Sequence, residues 1–89
     1  MKAVVISAVW CPSCLLMIGR FRQLRDRNPD IAFVEYDYDI DLEAVKAHKV
    51  WKTLPVLILY EGETELCRFI GEKSYKEIAA KVEELRDGQ

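Results

Sequence analysis

The sequence predicts an α/β fold in which a four-stranded mixed sheet is flanked by helices in the order β-α-β-α-β-β-α. Two continuous apolar, β-branched runs, Ala3 to Val9 and Val56 to Tyr60, read as strands buried on both faces. Two stripes of apolar residues at helical spacing, one opening at Cys11 and the other at Tyr75, supply helices to cover them. The Glu61-Gly62 turn after the second run predicts one antiparallel hairpin.

The first run, Ala3 to Val9, stops at Pro12 and is expected to be a central strand. From Cys11 onward Cys14, Met17, Ile18, Phe21 and Leu24 share one helical face until Asn28-Pro29 ends the helix. The opposite face carries Arg20, Arg22, Arg25 and Arg27, interrupted by Asp26, and reads as solvated. Ile31 to Tyr36, rich in β-branched and aromatic residues, is the second strand.

Asp37, Asp39 and Asp41 then supply turn and N-cap chemistry for a short helix through Leu42, Ala44 and Val45, ending near His48 to Val50. Pro55 precedes the second apolar run. After the turn, Thr64 to Ile70 alternates, with Leu66, Arg68 and Ile70 on one side and Glu65, Cys67 and Phe69 on the other, as in a peripheral strand closed by Gly71. Ser74 and Glu77 form a capping box, and Tyr75, Ile78, Ala79, Val82 and Leu85 form the stripe of the last helix. Helical crossovers make their strands parallel.

The chain has 89 residues, 51% hydrophobic and 31% charged, which fits an ordinary globular domain spanning residues 1–89. Thirteen basic and fifteen acidic side chains leave a net charge of −2, so bulk attraction to nucleic acid or an anionic membrane is not expected. The run Ala3 to Val9 is too short, and too soon followed by Trp10-Cys11, for a secretory signal. No stretch approaches the roughly 20 apolar residues of a membrane span. Three cysteines, an odd number, suit a reducing compartment rather than a disulfide framework, and a cytoplasmic protein is expected.

Cys11-Pro12-Ser13-Cys14 places two sulfurs one helical turn apart at the start of a helix, within reach of a disulfide that forms with little backbone movement. The unpaired N–H groups and dipole of a helix start favour negative charge on Cys11, which makes it the nucleophile by position. Cys14, on the apolar stripe, is the shielded thiol that resolves a mixed disulfide. Pro12 suits the first turn because the N–H it lacks has no partner there.

A bare C-x-x-C also occurs in zinc sites. Here the buried strand before it, the helix opening at it and Pro55 ahead of the second apolar run add context. Through Trp10-Cys11-Pro12-Ser13-Cys14, Thr53-Leu54-Pro55-Val56 and Phe69-Ile70-Gly71, nearly the whole chain resembles the thioredoxin-like superfamily. The resemblance implies a thioredoxin-like fold and thiol–disulfide oxidoreductase activity. It implies a cis bond before Pro55, which lies against the cysteine pair, and a backbone at Leu54 that pairs with the substrate chain.

Trp10-Cys11 resembles thioredoxins, while Cys-Pro-x-Cys and the absence of an extra N-terminal strand and helix resemble glutaredoxins. Thioredoxins also carry a buried acid in the strand before the motif, where this chain has Val5. Trp10 is expected to form a platform beside the reactive sulfur. Trp51 either borders the same groove or packs ordinarily. Cys67 reads as a small half-buried apolar residue and His48 as a surface or boundary side chain.

The expected catalytic residues are thus Cys11 and Cys14, and the expected substrate-binding residues Trp10, Leu54 and Pro55, with no metal and no cofactor beyond the dithiol. Expected partners are a disulfide-containing protein or glutathione adduct and a thiol reductant or reductase. Two other readings stand beside this one. One is an interaction domain that docks partners near Leu54-Pro55 without turnover; the other is a zinc module held by Cys11, Cys14, Cys67 and His48.

Overall fold

The computed structural model describes residues 1–87 and contains seven elements in the expected order. They are β1 (Lys2–Ser7), α1 (Pro12–Arg27), β2 (Ala32–Asp37), α2 (Leu42–Ala47), β3 (Val56–Glu61), β4 (Thr64–Ile70) and α3 (Tyr75–Asp87). The strands form a mixed sheet in the order β2-β1-β3-β4. β1 and β2 are parallel through the α1 crossover, as expected, but the α2 connection does not give a parallel strand: β3 runs antiparallel to β1 as well as to β4, so there are two antiparallel pairs rather than one. The chain leaves β2 at Asp37, opposite Ser7, and enters β3 at Val56, opposite Ile6, so α2 returns it to the same end of the sheet.

Alternation along the two central strands produces a two-sided core. Ala3 and Val5 of β1 face the same way as Leu57 and Leu59 of β3, and pack under Met17, Phe21 and Leu24 of α1 and Ile78 and Val82 of α3. Val4, Ile6, Val56 and Ile58 face the other way, toward Val45, Val50, Leu54 and the two motif cysteines. This is why both apolar runs lack polar alternation: each residue from Ala3 to Ile6 and from Leu57 to Leu59 is fully buried.

β1 is shorter than its apolar run, because Cys11 N–H donates to the Ala8 carbonyl at 3.2 Å and folds Val9-Trp10 into a turn that leaves Val9 exposed. α1 ends where Asn28 N–H returns to the Arg25 carbonyl and the Asn28 amide donates to the Leu24 carbonyl at 2.8 Å. α3 begins with Glu77 N–H donating to Ser74 Oγ at 3.1 Å, one half of the expected capping box. Gly62 turns the hairpin at φ +61°, a conformation that side chains disfavour. A bulge between Leu59 and Tyr60 shifts the β3–β4 register, yet Cys67 and Phe69 still reach the α1–α3 side of the core.

On the arginine face of α1, Arg22, Arg25 and Arg27 are exposed as expected, while Arg20 is half-buried. Arg20 donates to the Lys73 carbonyl at 2.8 Å, tying α1 to the segment before α3, and Arg27 lies over the Tyr75 ring. Arg22 and Arg25 both reach Glu35 on β2. Among the described residues no helix is long and apolar enough to cross a membrane.

Candidate active site

The two cysteines sit at the end of β1, where α1 begins. Cys11 occupies the N-cap with extended backbone angles, and Pro12 follows in the first turn. The Cys11 sulfur fills the role that an Asp or Ser oxygen usually plays, accepting from Cys14 N–H at 3.3 Å. A donor aimed at that sulfur stabilises negative charge on it. Cys11 and Cys14 are both buried, at 7% and 3% exposure, so only a narrow face of Cys11 meets solvent.

Cys14 differs in kind. Burial, followed by the hydrogen bond its thiol makes to Cys11, pushes it up from an ordinary 9.0 to about 11, against a smaller lowering by the backbone of Ala8. Cys14 therefore holds its proton under neutral conditions.

The Leu54–Pro55 peptide bond is cis, as the resemblance implied. Leu54 buries its side chain in the same cluster as both cysteines, and its carbonyl lies 3.9 Å from Cys11 Sγ. The Pro55 carbonyl is occupied by Gly71 N–H at 2.9 Å, and Gly71 takes φ +83° to make that contact. The structure thus brings Cys11, Cys14, Leu54 and Pro55 together from two distant parts of the chain.

Trp10 stands at the rim, 56% exposed. Its indole Nε1 donates to Asp39 Oδ2, and its ring meets Tyr38 edge-on with centroids 6.5 Å apart. Asp39 N–H in turn donates to Asp37 Oδ1, and Asp37 N–H to Asp41 Oδ2, both at 2.8 Å. Asp41 stands at the N-cap of α2 without a side-chain capping bond, because that side chain turns back to Asp37. Trp51 is exposed and shares a recess with Tyr38, Leu42 and Val50, so it lies near the Trp10 side of the rim.

Sequence reasoning missed Asp39 and Glu72 as neighbours of the motif. Ser13 Oγ donates to Glu72 Oε1 at 3.1 Å, across 59 positions. A turn aspartate two residues past a strand signals its local role only, and nothing in the spacing marks Glu72.

The zinc reading fails on geometry. Cys67 packs on the α1–α3 side of the sheet, while Cys11 and Cys14 belong to the opposite cluster. His48 Nδ1 is 2.8 Å from the Tyr60 hydroxyl. Among the described residues, no group of three or more His, Cys, Asp or Glu side chains is placed to hold a metal ion. Burial raises the Cys67 thiol, which fits its reading as a half-buried apolar residue.

A capped dithiol at a helix start, beside a cis-proline on a four-stranded sheet, defines the class of thioredoxin-like proteins. The sequence pattern of the thioredoxin family matches residues 2–84, and the chain belongs to that family. It is 35% identical over 72 residues to thioredoxin H2-1 of Oryza sativa subsp. japonica, covering 79% of this chain and 51% of that protein. It is 30% identical over 77 residues to a thioredoxin of Ophiophagus hannah, covering 84% and 72% of the two chains. The chain therefore spans about half the length of the first relative. In fold it resembles thioredoxin 1 of Thermosipho africanus TCF52B, with a TM-score of 0.85 at 23% identity over 98% of this chain and 96% of that one.

Proposed function

We propose that this chain, folded as one domain over residues 1–89, exchanges disulfides with protein substrates through Cys11 and Cys14. Cys11 attacks a substrate disulfide and forms a mixed disulfide. Cys14 then attacks Cys11 Sγ, which releases the reduced substrate and leaves the Cys11–Cys14 disulfide. A thiol reductant or reductase returns the pair to the dithiol. No cofactor beyond the two thiols is needed for this cycle.

The observation that carries the reading is the asymmetry of the pair. One sulfur caps a helix and receives an N–H, while the other is buried, protonated and one turn away. Such an asymmetry supports attack by Cys11 and resolution by Cys14.

Leu54 and Pro55 would line the substrate path, with the Leu54 backbone pairing to the substrate chain and Trp10 bordering it. Exposed Val9, Trp10, Leu15 and Trp51 give the rim an apolar character. That character favours a polypeptide over a small glutathione adduct. The chemistry suits a reducing compartment such as the cytoplasm.

The test is a redox titration of the pair against glutathione, with free thiols counted by alkylation and mass. A reversible two-thiol transition between about −270 and −200 mV is expected. The absence of any transition would overturn the reading and leave a docking domain without turnover.

A further inference from the structure

Val5 occupies the strand position before the motif and is wholly buried among apolar side chains, so β1 offers no acid to the cysteines. The adjacent strand does. In the parallel register Val5 lies opposite Glu35 and Ser7 opposite Asp37, which puts both carboxylates on the α1 side of β2. A recess of ≈ 270 Å³ runs between this edge and α1, and its walls include Cys14, Arg22, Glu35 and Asp37. That volume admits several waters.

We infer that Asp37 is the proton acceptor for Cys14 in the resolving step, acting through water in this recess. The inference rests on the dithiol reading above. Of the two acids, Glu35 is committed: Arg22 reaches its Oε1 at 3.2 Å and Arg25 its Oε2 at 3.8 Å. Asp37 is half-buried, and its Oδ1 accepts Asp39 N–H. Among the described residues Asp37 Oδ2 accepts no hydrogen bond. The charged groups lining the recess are Arg22 on α1 and Glu35 and Asp37 on β2; Arg25 reaches Glu35, and Asp39 and Asp41 are bonded to Asp37 in the following turn. β1 contributes only Ser7 there, which is neutral.

The step balances as follows. The Cys14 proton passes through water to the Asp37 carboxylate, and the Cys14 thiolate attacks Cys11 Sγ. The Cys11–Cys14 bond forms as the Cys11–substrate bond breaks, with the electron pair leaving on the substrate sulfur. The dithiol is oxidised by two electrons and the substrate disulfide is reduced by two. Asp37 returns its proton to solvent, which also protonates the departing thiolate.

The test uses the full chain carrying Cys67→Ala and an aromatic nitrobenzoate disulfide as substrate. Stopped-flow absorbance separates a first phase, attack by Cys11, from a second, resolution by Cys14. Asp37→Asn keeps the oxygen that holds Asp39 and removes the base. It should slow the second phase at least about tenfold near neutral pH. The first phase should be unchanged, and added imidazole should restore the second. Glu35→Gln should alter the second phase by less than about twofold.

A second phase in Asp37→Asn equal to that of the unsubstituted protein in rate and pH profile would overturn the inference alone. So would a second phase in the unsubstituted protein that accelerates in proportion to buffer base, a result that decides the matter even if Asp37→Asn fails to fold. Absence of a second phase in the unsubstituted protein would instead overturn the dithiol reading, and this inference with it.

Discussion

The indole of Trp10 is tied to Asp39, 29 positions further along the chain, and through Asp39 to the end of β2. An exposed tryptophan beside a reactive sulfur is thereby held on the turn that leads into α2. Asp39→Ala should free the ring. In a Trp51→Phe background, where Trp10 is the remaining tryptophan, its fluorescence anisotropy should fall. Stability should change by only about 0.5–1 kcal/mol, since the bond is exposed. Unchanged anisotropy would mean that edge-on packing on Tyr38 holds the ring without the hydrogen bond.

Arg20 and Arg25 lie five residues apart on α1 and differ in what they hold. Arg20 donates to the Lys73 carbonyl from a partly buried position, whereas Arg25 pairs with Asp26 and Glu35 at the surface. Arg20→Ala should cost about 1.5–3 kcal/mol, the range for a hydrogen bond with a charged donor. Arg25→Ala should stay within about 0.5 kcal/mol, as exposed pairs do. Urea unfolding of the two variants checks the contrast, and equal losses would refute it.

These arginines also mark where sequence reading stops. Periodicity places all four on the polar face of α1, and Arg20 does lie there, but the carbonyl it meets is 53 positions away. The same holds for Asp39 against Trp10 and Glu72 against Ser13. Elements whose burial is written locally are legible: β1 and β3 as unbroken apolar runs, α1 and α3 as stripes, the dithiol as a spacing at a helix start. The cis bond before Pro55 was reached through resemblance. The recess shared by Cys14 and Asp37 was not legible, because it depends on the β1–β2 register, which a residue pattern does not specify.

His48 sits half-buried between the Tyr36 and Tyr60 rings. Burial, then the charges of Lys2 and Arg68, lower its pKa below the usual 6.5, with Glu65 opposing. The unfolded chain thus takes up this proton at a higher pH than the fold does. The contribution of His48 is present above pH 6.5 and is lost as pH falls through the lower folded value. An NMR titration should place the ring below 6.5, and His48→Gln should lessen the loss of stability in that acid range. A ring titrating at or above 6.5 would contradict the assignment.

Cys14 carries the opposite sign at the other end of the pH scale. The unfolded chain releases this proton near 9.0, whereas the fold keeps it until about 11. Stability from the thiol is therefore complete below 9.0 and is lost as pH rises to about 11. Under reductant, urea unfolding of the unsubstituted protein should show an alkaline fall of up to about 3 kcal/mol that Cys14→Ser lacks. Near neutral pH only about one Cys14 in ten thousand is then a thiolate. Brief treatment with iodoacetamide should accordingly label Cys11 and spare Cys14, as peptide mass mapping reads directly. Equal labelling of the two would show that Cys14 needs no base to react, and would remove the reason for placing an acid beside it.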